Sequence, residues 1–163
     1  MTLTVEDGSI VSGADSYAAL ATVTAYHTAR GNSAWDGEDA DAEPAILRAM
    51  DYLEGLPWVG DPYYGYQTLQ WPRYGVFFRG VQWAVDEIPP QVVKALCEAA
   101  LIEFEEPGAL APALERGGMI ESEKVDVLST TYAKGAPVGT AYRKVTQHLR
   151  GLLHPSNMGR ITR

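Results

Sequence analysis

Cysteine is nearly absent from this chain of 163 residues: Cys97 stands alone, so no intramolecular disulfide can form. It lies in an apolar helical pattern, where a free thiol behaves as a small hydrophobe, as suits a reducing compartment. Its expected burial argues against use as a nucleophile, which would need exposure and a basic neighbour. Histidine is also scarce. His27, His148 and His154 are far apart, without cysteine pairs or a His-Glu-x-x-His spacing, so the common zinc arrangements are excluded. Asp39, Asp41 and Glu43 sit in a stretch where five of the eight residues from 36 to 43 are acidic. That stretch does not follow the pattern of a calcium loop, and Pro44 comes directly after it. It reads as acidic residues at a helix start, where the dipole favours them. Long apolar runs are missing too: nothing approaches the ~20 residues needed to span a bilayer, and the first residues lack the basic start and apolar core of a signal peptide. No membrane association and no secretion are expected. Nucleophile elbows, phosphate-binding loops and dinucleotide fingerprints do not occur; residues 134–140 have the wrong order for a P-loop. The expectation is a protein with no catalytic residues, no metal and no cofactor, and not an enzyme.

What is present is an ordinary globular composition, with 46% hydrophobic and 21% charged residues, in a length suited to one domain. The formal charge of −8 is unevenly divided. Residues 134–163 hold six basic side chains (Lys134, Arg143, Lys144, Arg150, Arg160 and Arg163) and no acidic ones, whereas residues 1–133 hold seven basic against twenty-one acidic. Such asymmetry points either to a charged partner for the basic end or to an ordinary solvated surface.

Periodicity predicts a mainly α fold: a small bundle of about four helices with a short β-hairpin or strand element and an extended C-terminal tail. One domain is expected over residues 1–153, with a tail at 154–163. Residues 2–11 read as an extended arm or hairpin turning at Asp7-Gly8. A first helix is expected from Asp15 or Ser16 to residue 29, packing through Tyr17, Leu20, Ala21 and Thr24. A second opens at Pro44 and closes at Gly55, with Ile46, Leu47, Met50 and Leu53 on its core face. The longest follows Pro89-Pro90 and runs to Glu106. Its apolar half carries Val92, Leu96, Cys97, Ala100 and Phe104, and its polar half carries Gln91, Lys94, Glu98 and Glu105. Ile102 falls among the polar residues and is a candidate subunit contact. Residues 119–132 switch to a strand alternation, with Val125, Val127 and Tyr132 as candidates for an edge-to-edge ring interface. A last helix is expected over residues 140–153, with Tyr142, Val145, Leu149 and Leu152 on one face.

Nine of the sixteen aromatic residues lie between Trp58 and Trp83. Such a cluster offers stacking surfaces for the bases of a single strand, at ~1–3 kcal/mol each, but only Arg73 and Arg79 within it could neutralise phosphate. The alternative is a packing role, in which Trp71, Pro72 and Arg73 anchor a long irregular loop to the helices.

Several spaced segments carry a resemblance: Asp15-Ser16-Tyr17, Arg30-Gly31 with Trp35, Leu47-Arg48-Ala49, Asp51-Tyr52-Leu53, Leu69-Gln70-Trp71-Pro72-Arg73, Ile88-Pro89 through Ala100, residues 120–125 and residues 149–153. In this order they resemble a family of small tailed-phage proteins carrying a DnaT-like single-strand-DNA-binding label, whose relatives act as head-to-tail connectors. The resemblance implies a structural protein of the virion neck, present in the host cytoplasm during assembly. It would form a ring, a dodecamer in the family's connectors, that meets the phage portal protein and the tail-side connector or terminator proteins, with genomic DNA passing through the lumen without sequence-specific binding. Arg143, Lys144, Arg150, Arg160 and Arg163 would then dock on the portal or on a neighbouring subunit. The family's other implied role is a DnaT-like accessory factor that binds single-stranded DNA. The acidic balance of residues 1–133 makes the connector the leading expectation from sequence.

Overall fold

The computed structural model describes residues 2–38, 40–111, 122–125, 128–131 and 142–154. Its elements, in chain order, are α1 (Leu20–Thr28), α2 (Ala42–Glu54), β1 (Asp61–Pro62), β2 (Arg73–Tyr74), β3 (Phe77–Phe78), β4 (Val81–Gln82), α3 (Pro90–Glu105), β5 (Ser122–Val125), β6 (Leu128–Thr131) and α4 (Arg143–His148). The fold is mainly helical. Its strands form three antiparallel pairs, β1 with β2, β3 with β4 and β5 with β6.

The organising element is α3, against which α1, α2 and α4 all pack. Pro89 and Pro90 start it where a missing N–H costs least. Nine of its sixteen residues are buried, more than a one-sided amphipathic helix would hide. Glu98, expected on the solvent side, is buried and accepts a 2.7 Å hydrogen bond from the Tyr26 hydroxyl. Glu103 is buried as well. It pairs with Arg48 of α2 at 3.0 Å and accepts the N–H groups of Gly108 and Leu110, so one carboxylate ties α2 to the turn that ends α3. Ile102, expected to be exposed, is half-buried and packs against the core on a helix that α1, α2 and α4 all contact.

Helix α2 keeps the ends its sequence suggests, with Pro44 in its first turn and Gly55 after its last residue. Ile46, Met50 and Leu53 are fully or almost fully buried, together with Ala42, Ala45 and Ala49. Helix α1 starts later than its capping residues predict. Asp15 and Ser16 serve the N-terminal arm instead: Val5 and Ser16 form a parallel bridge, Asp15 Oδ1 accepts the Thr4 N–H, and Ser16 Oγ bonds the backbone of Ala18. Side chains so engaged hold the backbone out of the helix. The buried positions of α1 are therefore Val23 and His27; of the predicted stripe, Tyr17 is buried ahead of the helix and Leu20 packs on the core, while Ala21 is exposed and Thr24 half-buried.

Helix α4 is likewise shorter than predicted. Its chain breaks away at Gly151, whose φ of +88° belongs to the left-handed region, and Leu153 then bridges Trp58. Val145, Leu149 and Leu152 are buried as the pattern requires. Strands β5 and β6 fall within the segment where alternation predicts a hairpin, with Val125 opposite Leu128. The predicted tail, apart from His154, lies outside the described residues. His154 donates its backbone N–H to Pro57 O.

Candidate nucleic-acid interface

The segment between α2 and α3 is irregular, yet it is fastened at one end by a dense set of buried contacts. Trp71 is fully buried and meets Trp58 edge-on, with ring centroids 5.8 Å apart. Trp58 in turn donates its indole N–H to Leu53 O at the end of α2. Arg73, only 5% exposed, spreads its guanidinium over three backbone carbonyls and one side chain. Nε donates to Val59 O, Nη2 to Gly60 O, and Nη1 to Gln70 O and Oε1. Gly60 has φ +69°, and a β-carbon there would stand 2.3 Å from Tyr74 O, so the β1–β2 approach admits only glycine.

Tyr17 completes the anchor from the other side of the molecule. Its hydroxyl donates to Glu54 Oε1 at 2.5 Å and accepts the Trp71 N–H at 3.1 Å, while Glu54 Oε2 accepts the Gln70 N–H. Burial raises the Glu54 carboxyl above its ordinary value, and burial together with the Glu54 charge raises the Tyr17 phenol. Two of the segments singled out in the sequence, Asp15-Ser16-Tyr17 and Leu69 to Arg73, thus meet at one hydrogen-bonded junction.

Beyond this anchor the aromatic side chains turn outward. Among the described residues the exposed large hydrophobic side chains are Tyr63, Tyr64, Tyr66, Tyr74, Phe77 and Val81, and every one lies in this single segment. Tyr66 is 83% and Phe77 61% exposed. The three tyrosines follow one another as a ladder, with centroid separations of 5.0 Å between Tyr63 and Tyr64 and 5.4 Å between Tyr64 and Tyr66. Gln67 braces their loop, accepting the Tyr64 N–H and donating to Leu69 O and Pro72 O. The loop therefore has internal support while its rings remain accessible.

The second hairpin, β3–β4, turns through Arg79 and Gly80, both with positive φ, as a two-residue type I′ connection requires. Its pleat places Phe77 outward and Phe78 inward. Phe78 packs on the core and lies near Gly151, which directly follows Arg150. Arg79 lies over the same ring, its Cζ 5.3 Å from the centroid. The aromatic segment and the basic C-terminal region consequently meet at Phe78, a juxtaposition that sequence spacing does not reveal.

Of the basic candidates, Arg143, Lys144 and Arg150 are exposed on and just after α4, while Arg160 and Arg163 lie outside the described residues. Val127 and Tyr132 also lie outside them. Cys97 is buried, and burial pushes its thiol up to about 12, leaving it protonated and unreactive. His27 is buried and held on both ring nitrogens, by Cys97 O at 3.0 Å and the Asn32 side-chain amide at 2.9 Å. No helix of the described residues is long and apolar enough to cross a membrane.

An outward array of stacking rings, edged by arginine and held by a rigid buried anchor, can hold unpaired bases by their faces. Comparison with protein families finds a match over residues 1–163 to the family described as "Putative DnaT-like ssDNA binding protein". The chain belongs to this family. No curated protein and no solved structure matches it.

Proposed function

We propose that this protein binds single-stranded DNA through the exposed aromatic side chains of the segment between α2 and α3, in a binding rather than a catalytic role. The observation that carries the reading is that, among the described residues, the exposed large rings are Tyr63, Tyr64, Tyr66, Tyr74 and Phe77. Burying such rings in the core would have stabilised the fold, so their outward placement needs a partner with flat apolar faces. Unpaired bases supply those faces, and the family description supports the same reading.

Trp35, Trp58 and Trp71 are buried, so a labelled oligonucleotide reports binding more directly than tryptophan quenching. Fluorescence anisotropy with labelled oligo-dT at about 50 mM salt should show saturable binding that weakens as salt rises. Joint substitution of Tyr64, Tyr66 and Phe77 by alanine should weaken it at least tenfold, at ~1–3 kcal/mol per stacked base. Binding unchanged by the triple substitution would remove the aromatic surface from the account.

A second reading is favoured by the acidic balance of residues 1–133, which repels a polyanion over most of the surface. In it the chain is a head-to-tail connector of a tailed-phage particle, forming a ring beneath the portal, with Arg143, Lys144 and Arg150 docking on the portal or a neighbouring copy. Quantitative mass spectrometry of DNA-filled particles separates the two. A stoichiometry near that of the portal supports the connector, and absence from the particle removes it.

A further inference from the structure

We propose that Arg79, Arg143, Lys144 and Arg150 form one phosphate-binding track that carries a single DNA strand from the aromatic surface onto α4. This inference rests on the single-strand-binding reading above. Stacking rings alone do not hold a polyanion, because each bound phosphate also needs a nearby cation to replace its counterions. The aromatic segment holds only two arginines. One of them, Arg73, is buried and committed to carbonyl oxygens, which leaves Arg79.

The missing cations come from the distant end of the chain. A β-carbon built on Gly151 would lie 3.6 Å from Phe78 Cε2, so the chain that follows Arg150 passes near the ring that Arg79 overlies. Arg79 and the residue after Arg150 thus lie close to one half-buried phenylalanine, with exposed Phe77 beside it in the same hairpin. From there the exposed cations continue along α4. Arg143 and Lys144 open α4 and Arg150 follows two residues after its last, all three exposed. Val145 and Leu149, between them in sequence, are fully buried and hold this stretch against the core. Arg150 also lines a shallow concavity of about 540 Å³, together with Thr146, Gln147, Leu149, Gly151 and Leu153. No acidic residue occurs anywhere in residues 134–163 to oppose the strand from within this region.

Arg79 adds an independent sign. It occupies a left-handed position, φ 54°, at the first place of a type I′ turn, where asparagine or glycine is favoured. Its guanidinium stands over the Phe78 ring, at the edge of the aromatic surface.

The test is the salt dependence of oligo-dT anisotropy for the full chain and three variants. Replacing Arg143, Lys144 and Arg150 together by glutamine should lower affinity at about 50 mM salt by tenfold or more. It should also flatten the plot of log affinity against log salt by about two, at ~0.7 per phosphate for single strands. Arg79→Asn should weaken binding while leaving thermal stability unchanged or raised. Lysine at 143 and 150 should retain the slope, showing that charge rather than fold is read. Thermal melts verify that the glutamine variant is folded. Should that variant keep the parent slope and affinity while the aromatic substitutions abolish binding, the track is wrong and the aromatic reading stands. Should the parent chain fail to bind oligo-dT at low salt, both fall.

Discussion

Phe78 lies near Gly151, more than seventy residues away in sequence and within van der Waals reach of a β-carbon built there, and this proximity brings the aromatic hairpin close to the stretch that follows the basic helix. Gly151 has room for a β-carbon, but its φ of +88° suits only glycine without strain. Gly151→Ala should therefore cost about 1–2 kcal/mol in urea unfolding. It should also weaken oligonucleotide binding by displacing Arg150. Unaltered stability would show that the turn relaxes without loss.

Tyr17 supplies the second prediction. Tyr17→Phe preserves the ring but removes the donor to Glu54 and the acceptor of the Trp71 N–H. Two partly buried polar groups are then left short of a partner, for a loss of about 1–3 kcal/mol. The change should loosen the 63–72 loop, measured as faster amide exchange there relative to α3.

Arg73 tests how far charge alone can replace geometry. Its guanidinium reaches Val59 O, Gly60 O and Gln70 O together, a span that a single ammonium cannot copy. Arg73→Lys should cost about 2–3 kcal/mol despite the retained charge. A melting temperature equal to that of the parent would show these hydrogen bonds to be replaceable by water.

The clear ends of α2 and α3 were legible because proline and glycine act locally: Pro44, Gly55 and the Pro89-Pro90 pair each impose a backbone preference that tertiary packing does not reverse. The start of α1 was not, because Asp15 and Ser16 can bond either a helix end or a neighbouring arm, and only the folded arm decides. Glu98 read as a solvent-facing charge; its burial depends on Tyr26 arriving from α1, as that of Glu103 goes with Arg48 arriving from α2. The aromatic segment was conspicuous in sequence, but its division into buried anchors such as Trp71 and outward rings such as Tyr66 was not. An aromatic side chain carries no local signal for which side of a loop it will occupy. The meeting of Phe78 with Gly151 is a consequence of tertiary packing alone.

Acid should weaken the fold through His27. Burial lowers its pKa below the ordinary 6.5, outweighing the Cys97 O hydrogen bond that favours the charged ring, and a second ring proton would face the Asn32 amide hydrogens. The unfolded chain then takes up a proton first as pH falls. The stability this group contributes is complete above about 6.5 and is lost as pH drops through that value toward the folded pKa. His148, also lowered by burial, acts in the same direction. Urea unfolding midpoints measured from pH 8 to 5.5 should decline below about 6.5, and His27→Gln should remove part of that decline. A flat profile in the parent protein would show that His27 protonates in place.

The measurement that bears most directly on single-strand binding is photocrosslinking of the full chain to oligo-dT carrying a photoreactive thymidine analogue, followed by peptide mass spectrometry. The account predicts crosslinks concentrated on the peptides that contain Tyr63, Tyr64, Tyr66, Tyr74 and Phe77, lost on competition with unlabelled oligo-dT. Crosslinks absent, or spread over the acidic helices with the aromatic segment untouched, would contradict it.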